Sequence, residues 1–225
     1  MKQLNLNLQT AQNLDSLSEE NFLILEENSA AFHFLEKFFA QKDFSQSQFQ
    51  SLILKGPKAS GKTHLLNIFA KKSGAEFLQI KKNTNKKLVK NLQANHFYIL
   101  ENIDEIQNEE LLLHLINSAV ETKAFLILSS NQHQFKLKDL ASRLKNIFAL
   151  QIKDPHLESI EMLLINAFSR RQIKVSSRII NFISDNISRS YEAILNAANL
   201  IESYCQDHGK NITLKNVSDI LSLQK

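Results

Sequence analysis

The chain has 225 residues and a mass of 25.8 kDa, with 27 basic and 23 acidic side chains, a formal net charge of +4 and a pI near 9.0. That length fits one large domain or a medium domain with a small companion, enough to bury a core without crosslinks. A single cysteine, Cys205, excludes an internal disulfide framework and a cysteine-built zinc site, and no run approaches the roughly 18 uncharged apolar residues of a membrane-spanning helix.

At the N-terminus, Met1 to Thr10 alternates polar and apolar residues and has no apolar h-region, which argues against a secretory signal. Within it, Gln3-Leu4-Asn5-Leu6-Asn7-Leu8 sets leucines at period two behind a glutamine amide. That is the pattern of an extended peptide fitting a partner's apolar pockets, or of an ordinary edge strand. Short apolar runs then predict strands at 51–55, 76–80, 96–100, 125–129 and 147–152, most of them read as buried on both faces of a parallel sheet. Helical patterns at 65–72 and 109–121 lie between them. Pro155 punctuates the chain, and helices follow at 157–171, 176–186, 190–206 and 215–221. Alternating β and α units predict a doubly wound α/β domain with a parallel five-stranded sheet, followed by a small all-α domain. The expected divisions are 1–20 as a peptide and linker, 21–154 as the α/β domain and 155–225 as the helical one.

Two of only four glycines fall in Gly56-Pro57-Lys58-Ala59-Ser60-Gly61-Lys62-Thr63, which fits G-x-x-x-x-G-K-[ST] between an apolar strand and a helix. Such a loop curls backbone N–H groups around phosphate oxygens, and the helix dipole adds to the attraction. Lys62 would reach the β-phosphate of ADP or the β- and γ-phosphates of ATP, and the Thr63 hydroxyl would hold Mg²⁺. The metal needs an acid at a neighbouring strand end, and Glu101 is the first after the run 96–100. Asp104 reads as a helix N-cap for a segment starting near Glu105. Hydrolytic relatives place a second acid directly after the first. Asn102 stands there, and an amide cannot accept the proton, so intrinsic hydrolysis is expected to be weak. His64 follows the loop, where packing or solvent contact is the plain expectation. His114 reads as a surface or satisfied histidine, and Arg170-Arg171 suits a helix C-terminus.

The string Gly61-Lys62-Thr63-His64-Leu65-Leu66 resembles the DnaA/Hda family of AAA+ P-loop NTPases, and further segments resemble it in order over about residues 20–223. Asn21-Phe22-Leu23-Ile24, with Asn28 and Ala31, looks like the segment packed near adenine. The strand from Phe125 to Asn131 looks like the one carrying sensor 1, Asn131. Leu140-Ala141-Ser142-Arg143-Leu144 resembles the arginine-finger segment, with Arg143 projecting to a neighbour's nucleotide. The stretch from Ile187 to Leu195 resembles the helix start carrying the sensor 2 arginine, here Arg189. Taken singly, either arginine is an ordinary solvated surface charge. In register with the other segments, both are assigned to nucleotide chemistry, where a planar guanidinium bonds phosphate in two places.

The resemblance implies a bacterial, cytoplasmic regulator of replication initiation, nucleoid-associated through the sliding clamp of the replicative polymerase and without a membrane partner. The peptide carrying Gln3, Leu4, Leu6 and Leu8 resembles the clamp-docking peptide of the family's short members. Arg143 would then be offered to ATP-bound DnaA, whose hydrolysis turns initiation off. DNA would be met only through the clamp, since the chain stops at Lys225 with no helix-turn-helix left to place. A homodimer is compatible with this reading. The competing reading is a self-oligomerising ATPase acting on single-stranded DNA, or an initiator fragment. Within residues 71–90, seven lysines face Glu76 alone, a local +6, and the remaining chain carries −2. This stretch is either a steering patch for DNA or an acidic partner, or a solvated helix face.

Overall fold

Five short apolar strands pair into one parallel sheet, in a computed structural model that describes residues 17–40, 50–80, 92–131, 135–209 and 212–222. The strands are β1 (Ser51–Lys55), β2 (Glu76–Phe77), β3 (Phe97–Leu100), β4 (Phe125–Ser130) and β5 (Phe148–Gln151), in the spatial order β2-β3-β4-β1-β5. Every neighbouring pair is parallel, with Ile53 opposite Leu128 on one side and Ala149 on the other. The chain divides into two compact units: Met1–Gly56 with Gly61–Ile152, and Pro57–Ser60 with Lys153–Lys225.

The helices of the first unit are α1 (Glu26–Phe39), α2 (Lys62–Ser73), α3 (Glu109–Thr122) and α4 (Lys138–Lys145). Strand period two sends Ile53, Tyr98, Leu100, Leu126 and Leu128 to one face, where Leu111, Leu112, Leu115 and Ile116 of α3 and Leu140 of α4 cover them. On the other face α1 lays Phe38 against Phe97 and Phe125, at ring separations of 6.1 and 6.2 Å. Phe97 and Phe125 stack on each other at 4.8 Å, and Phe39 ties in Phe69 of α2 at 5.4 Å. Each such pair is worth about 0.5–1.5 kcal/mol beyond the area it buries.

The second unit holds α5 (Leu157–Arg170), α6 (Ser177–Asn186), α7 (Tyr191–His208) and α8 (Leu214–Ser222). Ile160, Leu164, Phe168, Ile183, Ile201 and Val217 form its dry centre. Ser190 caps α7 by accepting the Ala193 N–H at 3.2 Å. Arg171, just past α5, donates to Glu202 at 2.8 Å, to Asn199 at 2.6 Å and to the Ala167 carbonyl at 3.0 Å. Among the described residues no helix is long and apolar enough to cross a membrane.

Several elements depart from expectation. Strand β2, at the sheet's edge, is only Glu76–Phe77, although the Leu78 N–H still donates to the Ile99 carbonyl at 2.8 Å. Helix α2 begins at Lys62 rather than residue 65, so the motif's lysine and threonine form its first turn. Only a single 3-10 turn, Ile103–Glu105, follows β3. The helix proper starts at Glu109, where Asn108 Oδ1 accepts the Leu111 N–H at 3.0 Å. Helices α1 and α4 were not among the predicted elements.

Phe38 is the ring by which α1 holds both Phe97 and Phe125. Phe38→Ala is expected to cost about 3–5 kcal/mol, seen as a lower urea midpoint with an unchanged slope.

Candidate functional site

The carboxyl ends of β1, β3 and β4 meet at one edge of the sheet, where open parallel sheets take their ligands. Gly56, directly after β1, donates its N–H to the Ser130 carbonyl at the end of β4, at 3.2 Å. The chain then passes through the left-handed region at Ala59 (φ 62°) and again at Gly61 (φ 87°), the N-cap of α2. This conformation is natural to glycine and costs alanine about 1–2 kcal/mol.

Within the second unit, Lys58 pairs with Glu192 at 2.7 Å, an exposed contact that contributes little to stability. Ser60 is buried, and its Oγ is among the few buried side-chain atoms without a hydrogen-bond partner among the described residues.

Lys62 is 6% exposed. Its ammonium donates to the Gly56 carbonyl at 2.9 Å and to Asn131 Oδ1 at 2.8 Å. Burial pushes the Lys62 pKa below the ordinary 10.5, and the carboxylates of Asp104 and then Glu101 pull it part of the way back. Lysine offers only donors, so Asn131 must turn its oxygen towards Lys62.

Glu101 follows β3, and its Oε1 is buried without a hydrogen-bond partner among the described residues. An orphaned carboxylate oxygen is costly to bury and suits a hard cation. Thr63 is exposed on the first turn of α2. The two residues fit a Mg²⁺ ion, which would neutralise phosphate charge when bound.

Asn102 takes the left-handed conformation (φ 51°), and its N–H donates to Ser129 Oγ at 2.9 Å. That kink ends β3 and folds the next residues back towards β4. Asp104 therefore caps no helix, contrary to expectation. Its carboxylate accepts the Ser130 hydroxyl at 2.8 Å and the Asn131 N–H. Sequence reasoning read Asp104 as a helix cap and gave Ser130 no role. The available signal was Glu101-x-x-Asp104 after one strand, facing Ser129-Ser130-Asn131 at the end of the next.

Phe22 lies at the mouth of the loop, where a Cβ on Gly61 would touch its ring at 3.4 Å. The Phe22 ring stacks on Phe32 at 5.7 Å and meets the His64 ring edge-on at 5.1 Å. His64 Nε2–H donates to the Ser18 carbonyl at 2.7 Å, so this histidine anchors the segment carrying Phe22. Asn28 is buried, accepting the Leu25 N–H at 2.9 Å and donating to the Leu23 carbonyl at 3.0 Å.

The structure thus gathers Gly56, Gly61, Lys62, Glu101 and Asn131, with Phe22 and His64 beside the loop. It does not gather Arg143, which stands exposed on α4. Arg189 is exposed in the helical unit, next to the cap Ser190. Gln3, Leu4, Leu6 and Leu8 lie outside the described residues, as do Lys81, Lys82, Lys86, Lys87 and Lys90.

A cleft of about 580 Å³ opens beside Glu101 and Asn102, lined also by Asn67, Phe77 and Ile106. A larger one, about 830 Å³, lies instead along Glu105–Glu110 and Lys136-Leu137. There the Glu109 carboxylate accepts the N–H groups of Lys136 and Leu137.

A phosphate loop after β1, an acid after β3 and a polar strand end at β4, in a β2-β3-β4-β1-β5 sheet, define an AAA+ P-loop NTPase fold. Residues 48–153 match the AAA domain family. The sequence is similar to the chromosomal replication initiator protein DnaA of Buchnera aphidicola, 24% identical across 92% of this chain and 51% of that protein. The chain spans about half the length of the curated relatives it matches. In structure it resembles domain III of Thermotoga maritima DnaA, with a TM-score of 0.71 and 15% identity over 92% of this chain and 96% of that one. The RuvB Holliday junction branch migration motor of the same organism gives 0.70 and 15% over 93% and 72%. AMPPCP-bound DnaA from Aquifex aeolicus gives 0.63 and 16% over 83% and 64%.

Because burial lowers the Lys62 pKa, the ammonium is lost in a window that opens below 10.5. ADP affinity, measured in EDTA so that no metal titrates, is expected to fall across that window. The same deprotonation makes the ligand-free fold more stable as pH rises, because the unfolded chain keeps the proton longer. Titration calorimetry from about pH 7 to about pH 10 reads the affinity, and a flat profile counts against this account.

Proposed function

We propose that this chain is a nucleotide-holding AAA+ regulator of replication initiation, of the Hda type. The observation that carries the reading is the likeness to DnaA across 92% of the chain. The buried Lys62 at a phosphate loop supports the nucleotide part.

In this reading, residues 1–20 are the clamp-docking arm, 21–154 the nucleotide-binding domain and 155–225 the lid. ADP or ATP lies on the backbone of Gly56, Pro57, Lys58, Ala59, Ser60 and Gly61, with Lys62 on its phosphates and Phe22 and His64 towards its base. Thr63 and Glu101 hold Mg²⁺. Asn131 and Arg189 read the chain's own nucleotide. Arg143, exposed on α4, is presented to ATP-bound DnaA, while Gln3, Leu4, Leu6 and Leu8 hold the sliding clamp.

Arg143→Ala is then expected to remove about 10³-fold or more of the clamp-dependent stimulation of DnaA's ATPase while clamp binding persists. An unchanged rate overturns the role of Arg143. Replacing Gln3 and Leu4 with Ala is expected to abolish clamp binding in a pull-down while ADP still binds. Retained clamp binding sinks the arm assignment.

One observation favours the second reading, a self-oligomerising ATPase on single-stranded DNA. Asp104 places a second carboxylate three residues after Glu101, close enough to act on the Lys62 charge. Turnover near 1 s⁻¹, the low end for ordinary enzymes, rising with protein concentration and with single-stranded DNA, would select this reading.

A further inference from the structure

Asp104 does something at this site that the phosphate-loop pattern does not describe. Its two carboxylate oxygens take different partners on the last turn of β4: Oδ1 the Ser130 hydroxyl at 2.8 Å, and Oδ2 the Asn131 backbone N–H. Hydrogen bonds to an ionised carboxylate are roughly twice as strong as neutral ones, and two on one planar group fix direction as well as distance. The backbone at 130–131 is therefore held by a residue from the neighbouring strand's exit. Asn102 makes this reach attainable, since its left-handed kink turns residues 103–105 back across the sheet edge.

Asn131 also meets the site's cation through its side chain, with Oδ1 2.8 Å from Lys62 Nζ. With its oxygen committed to a donor-only partner, the amide must direct its NH₂ away from Lys62. Asp104 thus sets where the Asn131 amide stands, and Lys62 sets which way round it is. The result is an oriented donor beside the ammonium, on the β4 side of the loop.

We propose that Asp104 is a positioning residue that makes this site discriminate a nucleoside triphosphate from a diphosphate, acting through Asn131. The inference rests on the nucleotide-holding function proposed above. The phosphates held by the loop backbone are common to both ligands, and Lys62 can reach the β-phosphate of either. A donor displaced towards the neighbouring strand end meets the additional terminal phosphate. Loosening residues 130–131 should therefore weaken the triphosphate selectively.

The test is titration calorimetry of the full chain with ADP and with AMPPNP, a triphosphate that is not hydrolysed, both with Mg²⁺. Asp104→Ala is expected to weaken AMPPNP by about tenfold or more, the loss of charge-assisted hydrogen bonds, while ADP affinity stays within about threefold. Asp104→Asn keeps one acceptor and is expected to fall between Asp104→Ala and the wild type. Ser130→Ala removes one clasp, should shift the ratio in the same direction by less, and decides the question if Asp104→Ala does not fold. Equal losses for both nucleotides in the folded variants, or unchanged AMPPNP affinity, overturn the proposal. Failure of the wild-type chain to bind either nucleotide overturns the nucleotide-holding function itself, and the positioning role with it.

Discussion

A lysine ammonium leaves water only where fixed acceptors and counter-charges replace its hydration, and Lys62 is 6% exposed. Its acceptors come from two strand ends, the Gly56 carbonyl after β1 and Asn131 Oδ1 after β4. Its counter-charges, Asp104 and Glu101, come from a third, after β3. Strands from widely separated parts of the chain must therefore be adjacent and in register before this one residue can be buried. The parallel order β3-β4-β1 meets that condition, and the loop geometry follows from it. Burial still outweighs the two carboxylates, so the Lys62 pKa stays below its ordinary value.

The sheet can hold such a site because its two faces are packed by different means. Leucines and an isoleucine of α3 and α4 fill one face. A run of phenylalanines from α1, α2, β3 and β4 fills the other. Phe97 and Phe125 stand opposite each other at the starts of β3 and β4, and Asp104, Ser130 and Asn131 meet beyond their ends. Apolar stacking thus sets the strands at one end and charge-assisted hydrogen bonds stitch them at the other. The segment before α1 uses the same vocabulary on a smaller scale. Phe22 stacks on Phe32, His64 holds the Ser18 carbonyl, and Glu19 pairs with Lys72 at 2.6 Å.

Much of this was legible in the sequence, because buried parallel strands read as apolar runs and a phosphate loop has fixed spacing. Strand β1, the loop and α3 fall where their residues indicate. Helix α1 was missed although Ala31, Phe32, Leu35 and Phe38 carry a helical period, because the aromatic richness of that stretch hides it. Asp104 was misread because N-cap reasoning looks only along the chain, whereas its partners lie 26 and 27 residues away. Of the basic stretch, Lys72 pairs with Glu19 and lies 5.8 Å from the Phe69 ring centre.

The placement of the acids bears on what kind of P-loop protein this is. A carboxylate directly after Glu101 would follow the strand direction into the ligand space, where it could activate water. This chain puts Asn102 there, uses its tolerance of the left-handed conformation to turn the backbone, and brings the next acid back onto β4. The second carboxylate is thereby engaged with a hydroxyl and a backbone N–H. A carboxylate that grips a hydroxyl and a backbone N–H at once anchors the strand end that carries them.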